Sequence, residues 1–216
     1  VGGRFVPDPE LARQTDAAMR GLFVPRVSMR LTDATDGLSH TLLLGELATG
    51  LGDHDRRTHP LAGPGEETLR QQPNWARESG QLDAERPQFW ADVLTSGRLD
   101  SSLGMRRGFR WAEGMPLYTG FNTILPPNRE IVLYADRDDA WGILPPSSRH
   151  QGGVQIGLAD GAVRFVTEDI DAGDENQSTV FVGSTNPPGS ESPFGVWGAL
   201  GTRASGELQA NRLGAR

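Results

Sequence analysis

The sequence predicts an α+β domain, predominantly an antiparallel β-sheet with two short helices and long loops. Three observations carry this. Two apolar-alternating runs, 154–159 and 162–167, flank Asp160-Gly161, the dipeptide that marks a tight hairpin. Glycine (28) and proline (15) make up about a fifth of the 216 residues, against roughly an eighth in an ordinary chain, so turns are frequent and elements short. Apolar residues recur at helical spacing near residues 10–21 and 83–96.

The elements follow in order. Asp8-Pro9 supplies an N-cap and a first-turn proline, and Leu11, Thr15, Ala18 and Met19 form one helical stripe that Gly21 closes. Residues 23–31 read as a strand whose Pro25 marks an edge or a bulge. Asp33 and Asp36-Gly37 form a loop whose carboxylates cap local backbone N–H groups, and 41–47 continues as a buried strand. Residues 49–80 are polar and turn-rich, as expected of a surface insertion. In 82–97, Asp83 caps a stripe of Phe89, Trp90, Val93 and Leu94 that ends at Gly97.

Residues 105–113 and 117–125 are aromatic-rich strand candidates, and 130–134 is another short strand. A two-residue turn at Asp160-Gly161 sets Leu158 opposite Val163, Ile156 opposite Phe165 and Val154 opposite Thr167, with the large apolar side chains on one face. Residues 172–192 read as a loop. Residues 193–201 form a short strand or helical turn carrying Phe194 and Trp197, and 204–216 a flexible tail. One globular domain spanning 1–216 accommodates these elements.

Composition narrows the function. A net charge of −7 argues against non-specific nucleic-acid binding, which rests on basic charge. The absence of cysteine removes disulfides and thiolate metal sites. No apolar run reaches the 18 residues that would span a bilayer. The histidines at 40, 54, 59 and 150 lack zinc-hydrolase spacing, no G-x-S-x-G is present, and the glycine pairs lack phosphate-loop spacing.

Four segments carry a resemblance. His150, nine residues and then Asp160-Gly161 make an H-x(9)-D-G signature. Residues 21–46 contain Asp33-Ala34-Thr35-Asp36-Gly37, Thr41 and Gly45-Glu46. Residues 106–128 (RRGFRWAEGMPLYTGFNTILPPN) follow, and 192–207 contain Trp197 and Ala199-Leu200-Gly201-Thr202-Arg203. In this order they resemble the pseudopilin-like bacterial family known as domain of unknown function 1559. The resemblance implies a pilin-like globular domain, with His150, Asp160, Gly161, Asp33, Asp36, Gly37 and Glu46 as its motif residues in structural roles. Members of that family begin with a prepilin leader and a long apolar helix. Val1-Gly2-Gly3 opens neither, whether by truncation, by processing or because this member has no such helix, so the expectation for this chain is a globular domain lacking that helix, with membrane contact only through it.

Two readings of His150 stand side by side: a ring paired with Asp169 or Asp171 as ligand or base, or a ring packed on the sheet and bonded to backbone. Asp169, Asp171 and Asp174 offer oxygens at alternate spacing before a turn, a candidate calcium loop without the distal glutamate of an EF-hand; the resemblance to pseudopilins supports calcium as the cofactor to look for. Five tryptophans (75, 90, 111, 141, 197) serve either as sugar-stacking surface or as core anchors. The function expected is a non-enzymatic, extracytoplasmic structural protein acting through like subunits or a secretion or surface assembly. The alternatives are a carbohydrate- or solute-binding module and a carboxylate-dependent hydrolase.

Overall fold

The computed structural model describes residues 8–24, 27–91 and 106–207. The class is α+β, built on two three-stranded sheets. The first has the order β1-β5-β6, from Leu42–Gly45, Gly153–Leu158 and Val163–Thr167, all antiparallel. The second has the order β2-β3-β4, from Leu61–Ala62, Val132–Leu133 and Gly142–Ile143; β2 runs parallel to β3 and β4 antiparallel to it. The helices among the described residues are short: α1 (Pro9–Ala18), α2 (Glu66–Gln71), α3 (Trp75–Glu78), α4 (Pro116–Thr119) and α5 (Gly195–Leu200).

The hairpin forms where expected but in a different register. Gly161 N–H donates to Leu158 O (2.9 Å) and Leu158 N–H to Ala162 O (2.8 Å). Ala159 and Asp160 are therefore the central turn residues, and only Gly161, at φ 88°, is left-handed. This is the three-residue loop with a glycine bulge. The two-residue turn would need positive φ at Asp160 as well, and Asp160 does not adopt it. Ile156 consequently faces Arg164, Val154 faces Val166, and Val163 and Phe165 turn outward, 66% and 45% exposed. A one-residue slip moved the whole of β6 to the opposite face.

Behind β5 lie Val154, Ile156 and Leu158, packed with Leu42, Val166, Leu200 and the fully buried Trp197 of α5. The second sheet is covered on both faces. Val132 packs with Leu61, Leu69, Trp90 and Ile143, while Leu133 packs with Leu117, Tyr118 and Leu144. Trp197 Nε1 donates to Leu125 O (2.8 Å) and Trp90 Nε1 to His59 O (2.7 Å), so each indole is a core anchor with its polar edge satisfied.

Other expectations need correction. Residues 82–91 are not helical: Leu82 bridges Trp90, Phe89 bridges Asp55, and Trp90 drops into the second core. Residues 92–97 of that expected helix, and residue 105, lie outside the described residues. Residues 106–113 and 117–125 hold no strand; α4 and tight turns replace them, with Leu117 and Leu125 fully buried. The described residues of 23–31 pair with no strand. The 49–80 stretch, expected as a surface insertion, supplies β2, α2 and α3 and buries Leu69 and Ala76 completely. Of the 204–216 tail, residues 204–207 are tied down and Glu207 is buried; 208–216 lie outside the described residues.

Gly142 explains the tightness of the second sheet. A Cβ there would lie 2.0 Å from Val132 O and 2.9 Å from Leu133 Cα, both backbone atoms. Gly142→Ala is expected to cost more than about 2 kcal/mol in denaturant unfolding, whereas Gly114→Ala, with open space at the Cβ, should stay within about 0.5 kcal/mol.

Candidate functional site

The motif residues gather around the first sheet and act on backbone. Asp36 Oδ2 accepts from Ser205 N–H and Oδ1 from Gly206 N–H, each at 2.8 Å, reaching 170 residues along the chain. The sequence reading had these carboxylates capping local groups. Asp33 does so, accepting from Arg30 N–H at 2.7 Å, but Asp36 holds the C-terminal segment. Gly37 turns the chain at φ 100°, which lets Thr41 Oγ1 donate back to Gly37 O at 3.0 Å. Asp160 Oδ1 accepts from Ala162 N–H (2.9 Å) and stiffens the turn above Gly161.

Glu46 joins β1 to β5. Its Oε2 accepts from Gln155 N–H at 2.7 Å, and its Oε1 lies 3.2 Å from His150 Nε2. The His150 side chain is 61% exposed. It reaches neither Asp169 nor Asp171, nor does it pack on the sheet, so both readings of this residue give way to an exposed pair with Glu46. The slipped register and the turn at Gly152 (φ 77°) place it there. Ser148 is not a nucleophile poised by that ring. Its Oγ donates to Gly153 O (2.5 Å) and accepts from the His150 backbone N–H (3.0 Å), while the imidazole points to Glu46.

The candidate calcium loop is folded on itself. Asp169 accepts from Thr167 Oγ1, Asp171 Oδ1 from Gly173 N–H (2.9 Å), and Asp174 from Asn176 N–H (3.0 Å) and Gln177 Nε2 (3.1 Å). Among the described residues no three His, Cys, Asp or Glu side chains assemble as a metal set.

Sequence reasoning missed the buried charges. Glu130 is fully buried, with Arg129 Nη2 at 2.7 Å, Arg77 Nε at 3.8 Å and Arg56 Nε at 4.0 Å. Asp55, also fully buried, accepts two bonds from Arg57 Nε at 3.0 and 3.1 Å, one from Arg57 Nη2 at 2.6 Å and one from Gln88 Nε2 at 2.9 Å. For both carboxylates burial pushes the pKa up. The arginine hydrogen bonds and charges outweigh it and hold each below its ordinary range. Arg107 meets no carboxylate among the described residues. Sealed from solvent, it donates to the carbonyls of Leu117 (3.0 Å), Gly120 (2.9 Å) and Pro145 (3.3 Å), and burial lowers its pKa to about 9. The adjacent acid–arginine segments Asp55-Arg56-Arg57 and Arg129-Glu130 were the available signal.

A cleft opens between the 18–24 segment, β1 and the 119–124 segment. Its inner chamber holds about 320 Å³ and is bordered by Arg20, Leu42, Phe121, Thr123, Phe194 and Gly201. It gives onto an apolar groove of about 1190 Å³ along Phe23, Val27, Leu44, Trp141 and Phe181. No helix of the described residues is long and apolar enough to cross a membrane.

The geometry defines a small α+β domain whose signature carboxylates bind its own backbone. The chain belongs to the family described as Protein of unknown function (DUF1559), whose model matches residues 2–173. The comparison with curated proteins gave no match, nor did that with solved structures.

Two outcomes follow. Asp36→Ala leaves two backbone N–H groups of the C-terminal segment without their acceptor and should cost about 2–3 kcal/mol, whereas His150→Ala, on an exposed pair, should change stability by under about 0.5 kcal/mol; urea unfolding of both variants checks this. Folded-state pKa values below the unfolded ones mean that Asp55 and Glu130 stabilise the fold above their ordinary pKa and cease to as the pH falls through the lowered values. Glu207, raised chiefly by burial, works in the opposite sense and loses its contribution as the pH rises through its folded pKa. With the buried Asp55 and Glu130 lowered against Glu207 raised, unfolding free energy should drop as the pH falls below about 4, and Asp55→Asn should flatten that drop.

Proposed function

We propose that this is a non-enzymatic, extracytoplasmic structural domain that acts by associating with copies of itself or with a secretion or surface assembly. The observation that carries the reading is where the motif residues direct their polar atoms. Asp33, Asp36, Glu46 and Asp160 each accept from backbone N–H groups, so the family signature describes a scaffold. The buried carboxylates that a hydrolase would draw on, Asp55 and Glu130, are held ionised among arginines and turned away from the cleft. The extracytoplasmic placement rests on the resemblance to pseudopilins.

The surface suited to association is the outer face of the first sheet. Leu44 of β1, Gly157 of β5 and Val163 of β6 stand in one cross-strand row, and Phe165 lies beside it. Leu44 is 61% exposed and Val163 66%. An apolar row of this kind on a soluble domain marks a contact surface. Sedimentation velocity over a concentration series tests the reading. The wild type should associate with rising concentration, and Leu44→Asp with Val163→Asp should remain monomeric at unchanged melting temperature. A wild type that stays monomeric throughout, and that adds to no assembly of pilin-type proteins, removes the reading.

The second reading, a solute-binding module, is favoured by the cleft beside β1. A pocket that is mostly apolar with a few polar groups at one end is the usual form of a small-molecule site.

A further inference from the structure

The first sheet ends on a free edge at β6. Leu158 N–H donates to Ala162 O (2.8 Å) and Glu168 N–H to Gly152 O (3.0 Å), so the even-numbered residues of this stretch turn their backbone groups toward β5. Val163, Phe165 and Thr167 turn theirs the other way. Thr167 O accepts from Ile170 N–H (3.2 Å). The N–H groups of all three, and the C=O groups of Val163 and Phe165, meet no partner among the described residues. β6 also lacks the devices that keep an edge from pairing: it holds no proline, lysine or bulge, and Val163 and Phe165 are exposed.

The opposite edge of the sheet is walled in. β1 borders the cleft whose far side is the 119–124 segment, and a Cβ on Gly45 would lie 3.1 Å from the Phe121 ring. A sheet edge from another copy, with its own strands behind it, does not enter there. Head-to-tail growth needs two open edges, whereas one open edge pairs with its own equivalent across a two-fold axis and closes.

Charge favours that pairing. Arg164 is exposed and meets no carboxylate among the described residues, and Glu168 accepts from Asn128 Nδ2 (2.7 Å). An axis at Phe165 pairs the full length of both strands: Val163 stands opposite Thr167 of the second copy, Arg164 opposite Val166, and Phe165 opposite its equivalent. Arg164 then shares a face with Glu168 of the second copy, one diagonal step away and within reach of a long side chain, and the contact occurs twice. The two Phe165 rings form a cross-strand aromatic pair. An axis at Arg164 would instead set two guanidinium groups against each other. We infer that a second copy of this chain docks on the edge of β6, the two edges pairing antiparallel into one six-stranded sheet. This rests on the self-association proposed above and specifies its partner and geometry.

The chain has no cysteine, so single cysteines report the contact. Phe165→Cys should give a disulfide-linked dimer on mild oxidation, because residues directly opposite across two strands lie about 5.5 Å apart at Cα. Leu44→Cys should not, since the two copies of β1 would be five strand spacings, about 24 Å, apart. In sedimentation velocity the wild type should pass from monomer to dimer with rising concentration. Val163→Pro removes an N–H that is unbonded within one copy, so it should abolish the dimer and leave the melting temperature of the dilute protein unchanged. Arg164→Glu should weaken the dimer about tenfold. A wild type that stays monomeric removes this inference together with the reading it rests on. An associating wild type overturns the edge pairing alone, and leaves association through the sheet face standing, under any of three results: Val163→Pro associates as well, Arg164→Glu associates as tightly, or Leu44→Cys crosslinks where Phe165→Cys does not.

Discussion

The register of one hairpin constrains the rest of the molecule. Because Gly161 alone takes the left-handed conformation, β6 meets β5 with Val154 against Val166 and Ile156 against Arg164. That puts Val154, Ile156 and Leu158 beneath the sheet, where each contributes about 1.5–3 kcal/mol by burial, and gives Trp197 of α5 a surface to close against. The other register would bring Phe165 inward, against a core already filled by Trp197 and Phe121, and would turn Val166 out. Trp197 then reaches Leu125 through its indole N–H and fastens the first core to the segment that enters the second.

Around that hairpin, carboxylates serve as replacements for missing backbone partners. Glu46 extends the β1–β5 ladder to Gln155 beyond the end of β1, and Asp160 satisfies the turn. Asp36 supplies both oxygens to a C-terminal stretch that forms no strand. A chain with this much glycine and proline has few long ladders in which to pair its N–H groups, so side chains take over the task. Asn128 does the same at a positive φ of 62°, accepting from Ser148 N–H and donating to Glu168. The signature's carboxylates are thereby ties, and the His150 ring stands exposed beside Glu46.

Local chemistry was legible in the sequence, and distant chemistry was not. Asp8-Pro9 capped α1 as expected, Asp160-Gly161 turned the chain, and the 193–201 segment gave a helical turn carrying Trp197. The failures share a cause. Asp-Gly suits both the two-residue and the three-residue turn, and only packing across the sheet selects between them. The stripe of Phe89 and Trp90 fits a helix as well as it fits a bridged turn that drops Trp90 into the second core. Asp55 and Glu130 read as surface charge because their arginine partners, and the layers that bury them, come from other parts of the fold. Asp36 was placed in the right motif with the wrong partner, since nothing near residue 36 points to residue 205.

The central claim is that these carboxylates hold the fold together. Native-state hydrogen exchange at the amides of Gln155, Ala162, Ser205 and Gly206 addresses it most directly, because each donates to a motif carboxylate. All four should exchange only on global opening, with protection equal to that of Ile156 in the centre of β5. Exchange of Ser205 and Gly206 by local fluctuation, at rates near those of an unstructured chain, would contradict the account.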